Sequence, residues 1–244
     1  MGPAGSMTDE VGSRQFRLPE HSGEFVPRQK VSPCESSSKE GMSMLLKRDN
    51  YSIQAEDARL RFLTYDQEAM PVRKDGEYLY LSFCGFDYRI CRADGHLFRR
   101  VDESWLCADS HGEVLTIYDY LCDAKPGRTP AGKAVSMAFL GGHVHSGLAA
   151  ASGSLERAID RDPAAFRRAC LALGGRECEG GDACFELNLF PDLPVRLRFW
   201  HADEDFPPSL DLLWDANTLL FLRYETTWFA AGVLRTRIRE IMGL

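Results

Sequence analysis

A chain of 244 residues, 44% of them hydrophobic, is long enough to bury one large core or two small ones. Twenty-nine Lys and Arg stand against 36 Asp and Glu, for a net charge of −7. The longest basic runs are pairs such as Arg99-Arg100 and Arg167-Arg168, so the footprint of a nucleic-acid binder is absent. No stretch approaches the ~20 apolar residues of a membrane-spanning helix, and the first thirty residues lack the apolar centre of a secretory signal.

The expected location is therefore cytoplasmic. Eight cysteines, at 34, 84, 91, 107, 122, 170, 178 and 184, are irregularly spaced. In a reducing compartment they read as free thiols, most of them small buried apolar groups.

Residues 1–45 are rich in Gly, Pro, Ser and charge and read as a flexible tail. Met1–Ser6 precede a second methionine, Met7, and read as a cloning remnant. Gly2 formally fits a myristoylation pattern, but nothing basic follows to supply a second anchor. A single domain is expected over 46–244. A helix opens it, capped by Ser52, with Ala58, Phe62 and Tyr65 on one face. A β-meander follows: Tyr78 to Phe83, then Phe86, Tyr88 and Ile90 alternating with polar neighbours. A turn at Asp94-Gly95 leads to Leu97 and Phe98.

Val114, Tyr118, Leu121 and Cys122 fall at helical spacing, and Pro126-Gly127 closes that helix. Lys133 to Leu140 is expected to be a strand running into Gly141-Gly142-His143-Val144-His145. Two short helices come next, the first capped by Ser154 and the second opened by Asp162-Pro163. The second buries Phe166, Ala169, Cys170 and Leu173 and stops at Gly174-Gly175. Phe185, Leu187 and Leu189 face Val195, Leu197 and Phe199 across a turn at 191–194, with charged residues on the other face. Helices are expected over Leu210–Leu222 and from Thr227 onward, with Thr226 or Thr227 as the cap of the last.

Strands and helices come in separate groups. The expected fold class is α+β: a mainly antiparallel sheet built from hairpins, helices on one face, and a C-terminal helix closing the core.

Four segments carry residues with chemistry. His143 and His145 lie two apart, so in an extended chain both imidazoles face one way and can chelate a divalent metal; they are equally readable as turn residues. His201, Asp203, Glu204 and Asp205 offer a mixed nitrogen and oxygen donor set, or a general acid and base. The plainer reading makes these carboxylates caps of a helix begun by Pro207 or Pro208. Cys178 and Cys184 bracket Glu179–Ala183 without the spacing of a zinc site; a redox or iron–sulfur role is the alternative, and free thiols flanking a turn are the default. Tyr118, Tyr120, Tyr224, Glu225 and Trp228 could line a cofactor pocket, or form an amphipathic core edge. The chain contains no GxGxxG, P-loop, GxSxG or HExxH motif, which removes the readily recognised nucleotide enzymes and hydrolases.

Several blocks also resemble a known family. They are Thr116–Cys122, Leu140–Val144, Phe185–Leu187, Pro194–Trp200, Asp203–Pro207, Leu213–Asp215 and Tyr224–Trp228. In order and spacing, over about residues 49–240, they are similar to domain of unknown function 3786. That resemblance implies anaerobic bacterial or archaeal relatives, some fused to a four-cysteine iron–sulfur module, and hence an association with anaerobic redox or corrinoid metabolism. This chain lacks such a cluster, and the resemblance carries over no catalytic residue.

Three functions are open at this point. The leading expectation is an accessory protein that binds a divalent metal or metallated cofactor through His143, His145 and the His201–Asp205 segment. Its expected partner is a redox or corrinoid protein. An acid–base enzyme using Glu204 or Asp205 with His143 is the second, and a protein-interaction module without a small-molecule site is the third.

Overall fold

A computed structural model of the chain describes residues 50–141 and 153–244. The first helix, α1 (Asn50–Phe62), buries Ala58 and Phe62. Tyr65 falls beyond its end and is exposed, so it does not extend the buried face.

Five strands then run as a meander: β1 (Arg73–Lys74), β2 (Tyr78–Phe83), β3 (Phe86–Cys91), β4 (Leu97–Val101) and β5 (Ser104–Cys107). Each pairs antiparallel with the next, in sheet order β1-β2-β3-β4-β5. The β2–β3 turn is tight because Cys84 and Gly85 both take positive φ, 49° and 76°. A Cβ on Gly85 would sit 2.9 Å from the Leu173 backbone, so only glycine fits there.

Helix α2 (His111–Cys122) follows and is buried along nearly its whole length. The expected strand over Lys133–Leu140 shrinks to β6 (Ala134–Val135), and Met137–Leu140 close into a 3₁₀ turn. Two helices, α3 (Gly153–Arg161) and α4 (Pro163–Ala172), are separated by Asp162, whose carboxylate accepts from Ala165 N at 2.9 Å. Phe166, Ala169, Cys170 and Leu173 are buried as expected.

The second sheet contains β7 (Arg176–Glu177), β8 (Ala183–Phe190), β9 (Leu193–Trp200) and β10 (Ser209–Asp215), in order β6-β10-β9-β8-β7, all antiparallel. Its apolar face carries Phe185, Leu187, Val195, Leu197 and Phe199. Its wet face carries the pairs Arg196–Glu186 at 2.9 Å and Arg198–Asp211 at 2.8 Å.

Strand β10 corrects the helix expected over Leu210–Leu222. Leu210, Leu213 and Trp214 have helical spacing, yet Asp211 sits opposite Arg198 and Trp214 opposite Val195, so pairing with β9 outweighs the periodicity. Only Thr218–Leu220 form a helical turn, and it is 3₁₀.

The last helix, α5 (Tyr224–Met242), starts earlier than the expected Thr227. Its cap is Arg223 rather than Thr226 or Thr227. Asp119, buried on α2, accepts from Arg223 N at 2.7 Å and from Arg223 Nε at 2.6 Å, and so ties the start of α5 to α2.

The fold is α+β, with two antiparallel sheets and the C-terminal helix packed on them. The described residues all belong to one compact unit, Ser43–Leu244. One hydrophobic cluster runs from Ala58 to Ile238 and holds both sheets and the helices together. No helix among the described residues is long and apolar enough to cross a membrane. The tail expected over residues 1–45 lies outside the described residues.

Candidate functional site

His143 and His145 lie outside the described residues, so the paired-imidazole expectation has no geometry here. His201 follows the end of β9. Its Nδ1 lies 2.7 Å from Asp160 Oδ1 on α3, and its backbone N donates to Asp182 Oδ2 at 2.7 Å. The ring meets Phe199 edge-on at 5.1 Å. An imidazole held at one nitrogen by a carboxylate is fixed in orientation.

The carboxylates after it do something else. Asp203 Oδ1 accepts from Asp205 N at 2.9 Å and from Phe206 N at 2.7 Å, which closes an Asx turn, and Glu204 and Asp205 are exposed. The segment enters strand β10, so these residues are not the helix caps of the plainer reading. Among the described residues, no three His, Cys, Asp or Glu side chains gather as a metal site requires.

The five aromatic-pocket residues do not share one lining. Tyr118 is buried, and its hydroxyl donates to Gly95 O. Tyr120 stacks on Phe190 at 3.7 Å and donates to Asp192 Oδ1 at 2.7 Å. Tyr224 and Trp228 meet edge-on at 6.3 Å on α5, and Glu225 is exposed. Cys178 and Cys184 also depart from expectation. They are joined as a disulfide, because the β7–β8 ladder sets their Cα atoms 5.1 Å apart.

The most developed site lies elsewhere, on residues that no motif singled out. A cleft of about 520 Å³ opens where the N-terminus of α2, the β4–β5 edge and α5 meet. Glu113 forms part of its wall and is only 6% exposed. Glu113 Oε1 accepts from the Tyr88 hydroxyl at 2.6 Å and from Arg237 Nη2. Arg237, itself 4% exposed, also donates through Nη1 to Glu240 at 2.7 Å and 2.8 Å. Arg99 Nη1 stands 3.9 Å from Glu113 and 3.7 Å from Glu240.

Burial pushes the Glu113 carboxyl above the usual carboxylate range, the Tyr88 hydrogen bond opposes this, and Glu240 and Asp109 add to the rise. Burial likewise raises the Tyr88 hydroxyl. Trp228, Phe229 and Val233 give the cleft an apolar side. The only local signal was Ser110-His111-Gly112-Glu113, which has the spacing of a capping box. Ser110 makes no side-chain cap bond, however, and the Glu113 carboxylate is spent on Tyr88 and Arg237.

These elements span the stretch matched by a family model. Residues 66–237 match the model described as Domain of unknown function (DUF3786). The chain belongs to that family. No curated protein matches it. No solved structure matches it either. The DUF3786 match runs from before β1 to Arg237 and so includes Tyr88, Arg99, Glu113, Asp160 and His201.

Proposed function

We propose that this DUF3786 protein binds a small polar molecule in the α2–α5 cleft and moves a proton on it through Glu113, which would make it an acid–base enzyme. The observation that carries this is a buried carboxyl with a raised pKa in the wall of an open cleft, oriented by Tyr88 and Arg237. A general base or acid must be held in one orientation, as Tyr88 and Arg237 hold this carboxyl, and burial moves its pKa upward, toward working pH. The acidic balance of the chain favours a small molecule over a nucleic acid.

Gly232 supplies the control. It lines the cleft, and a Cβ added there meets nothing within 4 Å. Thermal-shift screening of small carboxylic acids, amines and sugars should find a class that stabilises the wild-type chain. Gly232→Trp should fold normally and lose that shift, because the indole fills the cleft. Glu113→Gln should keep binding and lose turnover of the compound. A compound that shifts Gly232→Trp as much as wild type would place binding elsewhere.

A second reading keeps the metal ion or metallated cofactor in a cytoplasmic protein, with a redox or corrinoid partner. The observation favouring it is the Asp160–His201 contact, since metal-bound histidines commonly have their second nitrogen held by a carboxylate. Metal content measured on protein purified anaerobically, without chelators, tests it. His201→Ala, His143→Ala and His145→Ala should each lower the metal per chain, and unchanged content in all three would sink this reading.

A further inference from the structure

We infer that Cys178 and Cys184 are a reversible thiol–disulfide pair whose oxidation state sets the position of the His201 loop.

The sheet brings the two sulfurs together independently of the bond between them. Cys178 N donates to Cys184 O at 2.9 Å, and the adjoining register pairs Glu177 with Phe185 and Arg176 with Glu186. Backbone pairing therefore holds the Cα atoms at 5.1 Å, within the span a disulfide needs. Two thiols fixed at that separation oxidise as an intramolecular pair, at a high effective concentration.

The chain between them is built to turn. Gly180 and Gly181 take φ of +134° and +64°, and a Cβ on Gly181 would sit 2.5 Å from Phe199 O. The two sulfurs are unequally accessible. Cys178 is half-buried and Cys184 is buried, so an external thiol or disulfide reaches Cys178 first and Cys184 resolves the mixed disulfide. Four of the other described cysteines are poorly placed to compete, and exposed Cys107 has no cysteine beside it in the sheet register. Burial raises Cys84, Cys170 and Cys91, and pushes Cys122 up to about 12.

The loop is coupled to His201 by two bonds from one residue. Asp182 N donates to Phe199 O at 2.9 Å, and Asp182 Oδ2 accepts from His201 N at 2.7 Å. Beyond His201 lies a second cleft, of about 730 Å³, lined by Asp182, Trp200, His201, Asp203 and Phe206. Opening the Cys178–Cys184 bond removes the covalent closure of the Glu179–Asp182 turn, so that the Asp182 carboxylate that positions His201 is held only by the backbone bond to Phe199.

The exchange balances with glutathione disulfide as oxidant. The Cys178 thiolate attacks one glutathione sulfur, forming a mixed disulfide and releasing one glutathione thiolate. The Cys184 thiolate then attacks the Cys178 sulfur, closing the protein disulfide and releasing the second. Two electrons pass from the protein to glutathione, and the two thiol protons end on the released glutathiones. Glutathione runs the same steps backwards.

The test uses the full chain in glutathione and glutathione-disulfide buffers, quenched with acid, alkylated and read peptide by peptide by mass spectrometry. Cys178 and Cys184 should lose alkylation together in one two-electron transition. Each tenfold fall in the ratio of squared glutathione to glutathione disulfide should raise the oxidised-to-reduced ratio tenfold. Exposed Cys107 is the internal reference. Cys184→Ser should trap one glutathione on Cys178. The backbone amide resonance of His201 should shift across the same transition and stay at its reduced position in Cys178→Ser/Cys184→Ser. Alkylation of both sulfurs at every ratio, or of neither under excess reductant, overturns the pair. Titration of the pair with an unmoved His201 amide overturns the coupling.

Discussion

The carboxylate of Asp215 is 3% exposed and accepts three backbone N–H groups, from Ala131, Gly132 and Asn217, each at 2.8 Å. Asp215→Ala leaves all three donors without an acceptor in a partly buried turn. Since one orphaned buried donor costs roughly 1–3 kcal/mol, a loss of about 3 kcal/mol is expected in urea unfolding, with Asp215→Asn losing less. Asp160 gives a pH test of the same kind. Its hydrogen bond with His201 holds its carboxyl below the usual value. A carboxyl lowered on folding contributes stability above its unfolded pKa, near about 4, and that contribution fades as pH falls through the folded value. The difference in melting temperature between wild type and Asp160→Asn should therefore shrink as pH falls below about 4. His201 was legible as a chemical residue, because histidine beside acids stands out. Its partner was not, because Asp160 lies 41 positions away and only the packing of α3 on the end of β9 brings it close. Glu113 was hidden for the opposite reason. Three residues after Ser110 it looks like an ordinary capping acid, and nothing local says that Arg237 will arrive opposite it.

Elements were legible where local pattern and long-range pairing agree. The strands Tyr78–Phe83, Phe86–Cys91 and Leu193–Trp200 alternate and form; β8 departs from alternation at a bulge between Asn188 and Phe190, and the turn expected over 191–194 is confined to Pro191-Asp192. Strand β10 was misread because Leu210, Leu213 and Trp214 fit a helix, while the partner that settles the matter, β9, ends nine residues earlier. The crossing of α2 and α5 was equally beyond local reading. It depends on Gly112, where a Cβ would approach Val233 Cγ2 to 3.1 Å, and on the Glu113–Arg237 pair between the two helices. Arg237→Met should cost about 3–5 kcal/mol, because Glu113 is then left buried beside Tyr88 without its cation. Glu113→Gln/Arg237→Met should recover a large part of that loss, and a double variant no more stable than Arg237→Met would deny the pairing. Gly232 behaves differently on the same helix. It is exposed in the interior of α5 with open space at its Cβ position, so Gly232→Ala should raise stability by about 0.5–1 kcal/mol through helix propensity alone.

At the scale of the molecule, the two sheets are joined at one place by backbone and aromatic contacts together. Cys84 N, at the tip of the β2–β3 hairpin, donates to Leu189 O on β8 at 2.8 Å. Beside it Phe83 stacks on Phe190 at 4.9 Å, and Phe190 stacks on Tyr120 of α2 at 3.7 Å. Phe190 therefore touches the first sheet, belongs to the second, and packs on the helix between them in sequence. With one hydrophobic cluster running through both sheets, neither has a core of its own to keep if the other is lost. Two tryptophans separate the sheets optically: Trp105 sits on β5 and Trp214 on β10. In variants that retain only one or the other, urea midpoints followed by fluorescence should coincide. Phe190→Ala should lower both midpoints equally, for a loss of unfolding free energy of about 3–5 kcal/mol, the usual cost of emptying a buried aromatic site. Distinct midpoints in the parent variants would mean that the meander and the β6–β10 sheet fold as separate units. The Glu113 cleft would then unfold with the meander, since Tyr88 and Arg99 come from β3 and β4.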